Sequence, residues 1–255
     1  MGKHQTLAPG DETVAGSSLN EWNIDPDPET LDYHLRQWNE PYRSTVHFAD
    51  FLADRLEIAD LVVDIGCGSG APTWYLADRF PGCKFIGLDV SKELIAHARR
   101  SRNLDFELDD ATNLRVRFGV NGVVCMQALH TFPDPVTPLH QVSTRIRPDW
   151  IAFSTLIYEG NINCKIIVEE PDRPRQSYYN VFGLPVLFTA MKMEGYHPVK
   201  YQPFKIDVDL PKPDNMNQMQ TYTLMTEAGN RLQCSGPLLM PWGFCLFERQ
   251  KEKKK

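Results

Sequence analysis

The sequence predicts an α/β fold: a Rossmann-like, doubly wound sheet, mostly parallel, with an antiparallel carboxyl-terminal strand and an amino-terminal helical cap. Three observations predict it. Apolar runs of strand length alternate with stretches of helix length from residue 61 to residue 195, a pattern that builds a parallel sheet covered on both faces. A glycine loop joins the first of those runs to the helix after it. Beyond residue 195 the helices stop and paired β runs take over, which adds antiparallel strands.

The elements follow in order. Residues 1–20 are rich in Gly, Thr and Ser without periodicity, and read as a mobile arm. Asp25-Pro26-Asp27-Pro28 is a turn that introduces a helix over Glu29–Asn39, with Leu31, Leu35 and Trp38 on one face. Pro41 ends it, and a second helix buries Phe48, Phe51, Leu52 and Leu56. Residues 21–57 thus form a helical cap or lid, and residues 58–250 the main domain. Within that domain the predicted strands are Leu61–Ile65, Lys84–Leu88, Leu104–Leu108, Gly122–Met126 and Trp150–Leu156. Helices are expected over Pro72–Phe80, from Ser91 through Arg100, around Thr112–Phe118 and over Val136–Ile146. A last helix is framed by Pro185 at its start and Gly195 past its end. Val199–Val208 and Pro237–Phe247 close the sheet, with a β excursion over 210–237. That excursion contains a hairpin, Thr221–Thr226 and Arg231–Cys234 around Glu227-Ala228-Gly229-Asn230. Residues 251–255 are a basic tail.

Composition narrows the function. The net charge is -6, and the lysine tail supplies +3 of the opposite sign, so the body carries -9. An acidic body repels phosphate backbones, which argues against nucleic acid as a partner. No charge-free run reaches the roughly 18 residues of a membrane span. Six cysteines without a C-x-x-C pair read as reduced thiols of a cytoplasmic protein.

The chemistry lies in Val62-Val63-Asp64-Ile65-Gly66-Cys67-Gly68-Ser69-Gly70. The glycines let a ligand approach the backbone closely. Gly66-x-Gly68-x-x-Ala71 even satisfies the dinucleotide pattern. Asp64, however, lies two residues before the first glycine, where a carboxylate holds an ammonium group and repels a pyrophosphate. Asp89 ends the next strand in Gly87-Leu88-Asp89-Val90-Ser91, placed to accept from ribose hydroxyls. Asp110, in Leu108-Asp109-Asp110-Ala111, closes the third strand, placed to accept from an adenine amine. The implied ligand has an adenosine and an amino acid but no phosphate. On these residues the chain resembles the class I S-adenosylmethionine-dependent methyltransferases, over roughly residues 58–250. The resemblance implies that Asp64, Gly66, Cys67, Gly68, Gly70, Asp89, Val90, Asp110, Ala111 and Gln127 bind S-adenosylmethionine, leaving S-adenosylhomocysteine as product. It implies a lid as well, in which Gln37 or Arg43 meets the methionine carboxylate and Tyr33 and Trp38 cover the site.

The fourth strand runs into Cys125-Met126-Gln127-Ala128-Leu129-His130-Thr131-Phe132-Pro133-Asp134, beside the expected methyl. The acid-or-amide-Pro-Pro-aromatic run of planar-amine methylases is absent, as is a Pro-Cys pair. His130 is the candidate base, or else a structural histidine that holds the loop. Met126-Gln127 offers no acid for a metal, so no metal is expected. Tyr158, Tyr178, Tyr179, Tyr222 and Trp242 are expected to build the acceptor pocket. The expected reaction is methyl transfer to a hydroxyl or amine of a small molecule or sugar in a biosynthetic pathway. A homodimer is compatible with this reading. A protein or tRNA methyltransferase, and a binding subunit that has kept the fold, are the alternatives.

Overall fold

The computed structural model describes residues 26–101, 104–115, 119–170, 176–215 and 217–250. The expected arm at 1–20 and the basic tail lie outside the described residues. Two helices come first, α1 (Pro28–Arg36) and α2 (Arg43–Leu52). The Asp27 carboxylate caps α1 by accepting from the Thr30 N–H at 2.9 Å. Then β1 (Leu61–Ile65), α3 (Ala71–Arg79), β2 (Lys84–Asp89), α4 (Lys92–Ser101), β3 (Asp105–Leu108) and β4 (Gly122–Met126) alternate. A short 3-10 turn over Leu129–Thr131 leads to α5 (Val136–Gln141), which continues as one π turn over Val142–Ile146. The chain goes on through β5 (Trp150–Tyr158), β6 (Ile167–Glu169), β7 (Gln176–Tyr178), β8 (Val181–Gly183) and α6 (Leu184–Met193). It ends with β9 (Tyr196–Pro203), β10 (Thr221–Met225), β11 (Arg231–Ser235), β12 (Leu238–Leu239) and β13 (Trp242–Arg249).

The main sheet has the order β3-β2-β1-β4-β5-β13-β9, with β8 alongside the end of β5. Strands β1 to β5 pair in parallel, and β13 is antiparallel to both β5 and β9. This is the predicted doubly wound sheet with its antiparallel edge. Alternate residues feed two cores. Val63, Ile65, Val123, Ile151 and Phe153 face one core, completed by Leu139 of α5 and by Leu187 and Met191 of α6. Val62, Val124, Trp150 and Ala152 face the other, filled by Phe48, Phe51 and Leu52 of α2 and Leu76 of α3. The second cap helix is therefore part of the core, whereas α1 buries no residue completely. The strand order reverses at β1, which lies between β2 and β4. Ligands of open α/β sheets bind at such a switch point, beyond the carboxyl ends of the strands.

Four expectations need correction. Residues 111–115 form turns, not the start of a helix over Thr112–Phe118, because the buried Asp109 carboxylate takes up the Arg115 N–H at 3.0 Å and holds the chain open. The edge strand stops at Pro203, short of Val208, after the Phe204 N–H donates to the Trp242 carbonyl at 2.9 Å at the start of β13. Pro237–Phe247 divides into β12 and β13 at Pro241. The excursion forms its own three-stranded sheet, β10-β11-β12, reaching Leu239. The short strands β6, β7 and β8 come without a sequence signal, being three residues each.

Candidate functional site

The loop between β1 and α3 turns under three glycines with positive φ. At Gly66 (φ +73°) an added Cβ would sit 2.6 Å from the Ala128 Cβ, so the loop after β4 packs directly upon it. At Gly68 (φ +57°) the same atom would lie 3.1 Å from the His34 Nδ1 of α1. Beneath the loop, Asp64 is wholly buried. Its Oδ2 accepts from the Thr73 hydroxyl at 2.6 Å, while its Oδ1 has no partner among the described residues. Burial lifts its pKa to about 7, the Thr73 hydrogen bond opposes the rise, and the Asp89 charge adds to it. A buried acceptor without a donor is costly, and a cationic ligand group would complete it. Cys67 is buried among Ile95, Ala98 and Phe106, and burial pushes its thiol well above the ordinary value. It packs against the loop as a hydrophobe.

The other two predicted acids reach the same place. The Asp89 Oδ2 accepts from the Gly68 N–H at 2.8 Å and its Oδ1 from the Ser91 N–H at 2.9 Å, which ties the glycine loop to the end of β2. Asp110 accepts from the Thr112 N–H and hydroxyl at 2.8 and 2.7 Å. Gly66, Asp89, Val90, Asp110 and Ala111 line one cavity with Ile65, Leu114 and Phe132. Sequence reasoning missed Phe132, an apolar ring that the loop after β4 brings to the cavity. It also missed Asp109, whose buried carboxylate shapes the loop that presents Asp110.

Beyond β4 the backbone is special at Gln127 (φ +56°). The Ser154 hydroxyl accepts its N–H at 2.9 Å, and its side-chain amide donates to the Ser44 hydroxyl of α2. His130 is buried at 5% exposure, edge-on to the Trp242 ring at 4.9 Å and 5.6 Å from the Tyr179 ring. Burial lowers its pKa to about 3, so the imidazole is neutral at physiological pH. Its Nδ1 and the Trp242 Nε1 are buried without partners among the described residues. Asn180 clamps this loop: its N–H donates to the His130 carbonyl at 3.0 Å and its amide nitrogen to the Phe132 carbonyl at 2.7 Å. The Asp134 carboxylate accepts from the Thr137 N–H and hydroxyl at 3.0 and 2.8 Å at the start of α5.

The remaining candidates divide. Tyr179 and Trp242 meet around His130. Tyr158 is half-exposed at the end of β5, and Tyr178 pairs with Ile167 in the β6-β7 hairpin. The Tyr222 hydroxyl donates to the Gly236 carbonyl at 3.0 Å within the excursion sheet, so that polar group is already committed. In the cap, the Tyr33 ring lies 5.1 Å from the Tyr42 ring at a tilt of 42°, the Tyr42 hydroxyl donates to the Tyr33 carbonyl at 3.3 Å, and Gln37 is buried. The Arg43 guanidinium departs from expectation: Asp207 engages it through both carboxylate oxygens, an Arg-carboxylate fork that leaves little for a ligand. Among the described residues, no group of three or more His, Cys, Asp or Glu side chains could hold a metal ion.

Residues 62–149 match the family described as a methyltransferase domain. A 98-residue stretch is 38% identical to the trans-aconitate 2-methyltransferase of Mycobacterium tuberculosis, covering 38% of this chain and 37% of that protein. The match thus spans little more than a third of the relative's length. The fold is similar to that of the 1,6-didemethyltoxoflavin-N1-methyltransferase of Burkholderia thailandensis, solved with S-adenosylhomocysteine. The TM-score is 0.55 at 18% identity, over 96% of this chain and 95% of that one. It is similar also to an S-adenosylmethionine-dependent methyltransferase from Listeria monocytogenes, with a TM-score of 0.55 at 14% identity over 82% and 99%.

Proposed function

We propose that this chain, a class I S-adenosylmethionine-dependent methyltransferase, carries the cofactor's methyl group to a compact small molecule of a biosynthetic pathway. The observation that carries the reading is the unpartnered Oδ1 of Asp64 beneath the glycine loop. An ammonium group satisfies it; a nucleotide phosphate would be repelled. Asp89 then takes the ribose, and Asp110 with Ala111 and Phe132 the adenine. When bound, the cofactor supplies an electrophilic methyl on a sulfonium. What remains for the protein is to align the acceptor and keep water out.

The acceptor follows from His130. A base that titrates at about 3 has little driving force to strip an alcohol. Of the expected hydroxyl and amine, a neutral amine fits this imidazole better. A carboxylate fits equally, since it needs no proton removed, and the name of the Mycobacterium tuberculosis relative points to a carboxylic acid. His130 then serves as a neutral wall of the acceptor site, held by Trp242, Tyr179 and Asn180. His130→Ala should lower kcat less than about tenfold, against the 10² to 10⁴ of a working base. A loss in that larger range, with a wild-type pH limb that vanishes in the variant, would make His130 the base and the acceptor an alcohol.

The cofactor assignment is tested at Asp89. Asp89→Ala should weaken S-adenosylmethionine binding by about 1.5–3 kcal/mol, as for hydrogen bonds to charged groups. Equal calorimetric affinity in wild type and variant would sink it. No described helix is long and apolar enough to cross a membrane. Turnover to S-adenosylhomocysteine separates this enzyme from a binding subunit. Methylation of free acids and amines, rather than of tRNA or protein, separates it from the macromolecular alternatives.

A further inference from the structure

Two buried rings meet beside the loop that follows β4. Ala128 of that loop packs on the glycine loop at Gly66, and Phe132 lines the cofactor cavity. His130 stands between them in the chain and meets Trp242, the first residue of β13, with ring centroids 4.9 Å apart and planes at 85°. Trp242 pairs with Leu156 of β5, so both rings lie at the carboxyl ends of the parallel strands. Neither lines the cofactor cavity itself.

Each ring hides a polar atom. Trp242 is 8% and His130 5% exposed, and neither the indole Nε1 nor the imidazole Nδ1 has a hydrogen-bond partner among the described residues. The nearby Asn180 is committed, since its N–H and its side-chain amide hold the His130 and Phe132 carbonyls. An indole N–H donates and cannot accept. Burial keeps the imidazole neutral, and in its Nδ1–H tautomer it donates beside the indole. A buried donor left unmet is costly, so the pair calls for an acceptor oxygen from outside the chain.

That requirement separates a carboxylate acceptor from a neutral amine. An amine attacks the methyl through its single lone pair, and a donor on that pair would block the attack. A carboxylate has two oxygens, so one is held by the rings while the other attacks. We propose that Trp242 and His130 hold the non-reacting oxygen of an acceptor carboxylate, and that the product is a methyl ester. This rests on the S-adenosylmethionine reading above. The free oxygen bonds to the methyl carbon, the carbon–sulfur bond breaks, and its electron pair stays on sulfur as the neutral thioether. No proton moves. Because the anion becomes a neutral ester, the hydrogen bonds to it lose their charge assistance, and product leaves more readily than substrate. The Tyr179 ring, 5.6 Å from His130, adds an apolar wall that suits an acid with a flat, apolar body.

The test uses the full chain saturated with S-adenosylhomocysteine, with benzoate as the probe. By calorimetry the wild type should bind benzoate and not benzylamine. The indole N–H resonance of Trp242 is identified by its absence in Trp242→Phe, which keeps an aromatic ring. Benzoate should move that resonance downfield, while benzylamine and chloride should leave it in place. Trp242→Phe should weaken benzoate about 10- to 100-fold, the range for a hydrogen bond to a charged group. Its affinity for S-adenosylhomocysteine should stay within about threefold of wild type. A wild type that binds no benzoate overturns the proposal. So does a resonance that ignores benzoate or answers chloride or benzylamine equally, and so does undiminished benzoate binding by the variant. A parallel loss of both ligands in the variant makes Trp242 a packing residue and overturns it too. Failure of the wild type to bind S-adenosylhomocysteine overturns the cofactor reading and this proposal with it. A normal cofactor titration with a silent Trp242 overturns this proposal alone.

Discussion

Asp64→Asn is expected to cut S-adenosylmethionine affinity by about 100-fold while making the cofactor-free protein more stable above pH 7. Removing one partner of a buried charge pair costs about 2–5 kcal/mol, which is the loss the ammonium group would feel. The gain in stability comes from the same carboxyl. Burial raises its pKa from the ordinary 3.8 to about 7 in the folded chain. Between those two values the folded state keeps a proton that the unfolded chain has released. Stability therefore falls as pH rises through that window, by up to about 4 kcal/mol, and does not recover above it. Asparagine has no proton to lose, and its carbonyl can still accept from Thr73. Thermal midpoints of both proteins from pH 4 to pH 9 read the effect directly. Wild-type affinity for the cofactor should also rise as pH passes about 7, where the carboxylate forms. Coincident midpoints at pH 8, or undiminished binding by the variant, would remove Asp64 from this role.

Gly66→Ala should destabilise the fold by about 2–4 kcal/mol, adding left-handed strain for an L residue to overpacking. The new methyl would meet the Ala128 Cβ at 2.6 Å, and the loop it displaces carries Phe132 and His130. Cofactor affinity should fall along with stability. Gly229→Ala is the control. Its φ is +76°, but nothing lies within 4 Å of the added Cβ, so only the strain remains, about 1–2 kcal/mol. Chemical denaturation of both variants separates strain from contact. An equal loss in the two would deny any weight to the approach of Ala128.

The acids proposed for the cofactor could be read along the chain, because each lies at or just past the carboxyl end of a strand. Asp64, Asp89 and Asp110 follow apolar runs, and the parallel pairing of β1, β2 and β3 brings strand ends together automatically. The acceptor side was far less legible. Trp242 meets His130 only because β13 inserts beside β5, a long-range pairing with no local signature. Nor does sequence say that Asp207 occupies Arg43 from 164 positions away. The helix expected after residue 111 was lost to Asp109, where a buried carboxylate outbid local propensity. His34 did leave a trace. It stands three residues after Leu31 and four before Trp38, on the apolar stripe of α1, where a polar residue facing the domain invites a reason.

The place of β13 in the sheet bears on how the molecule is made. Lying between β5 and β9, it presents Phe244, Cys245 and Phe247, all fully buried, to two strands that precede it in the chain. Until it arrives, β5 ends the sheet with an open edge over Trp150–Leu156, seven residues that are all buried in the finished protein. An uncapped apolar edge of that length is a template for pairing with other chains. During synthesis the parallel half of the sheet, β1 to β5, can assemble first, yet it must wait with this edge unprotected while some 80 further residues emerge, on the order of 4–16 seconds at common elongation rates. Yield in a host cell should therefore depend on chaperone supply and temperature more than the stability of the finished fold would suggest.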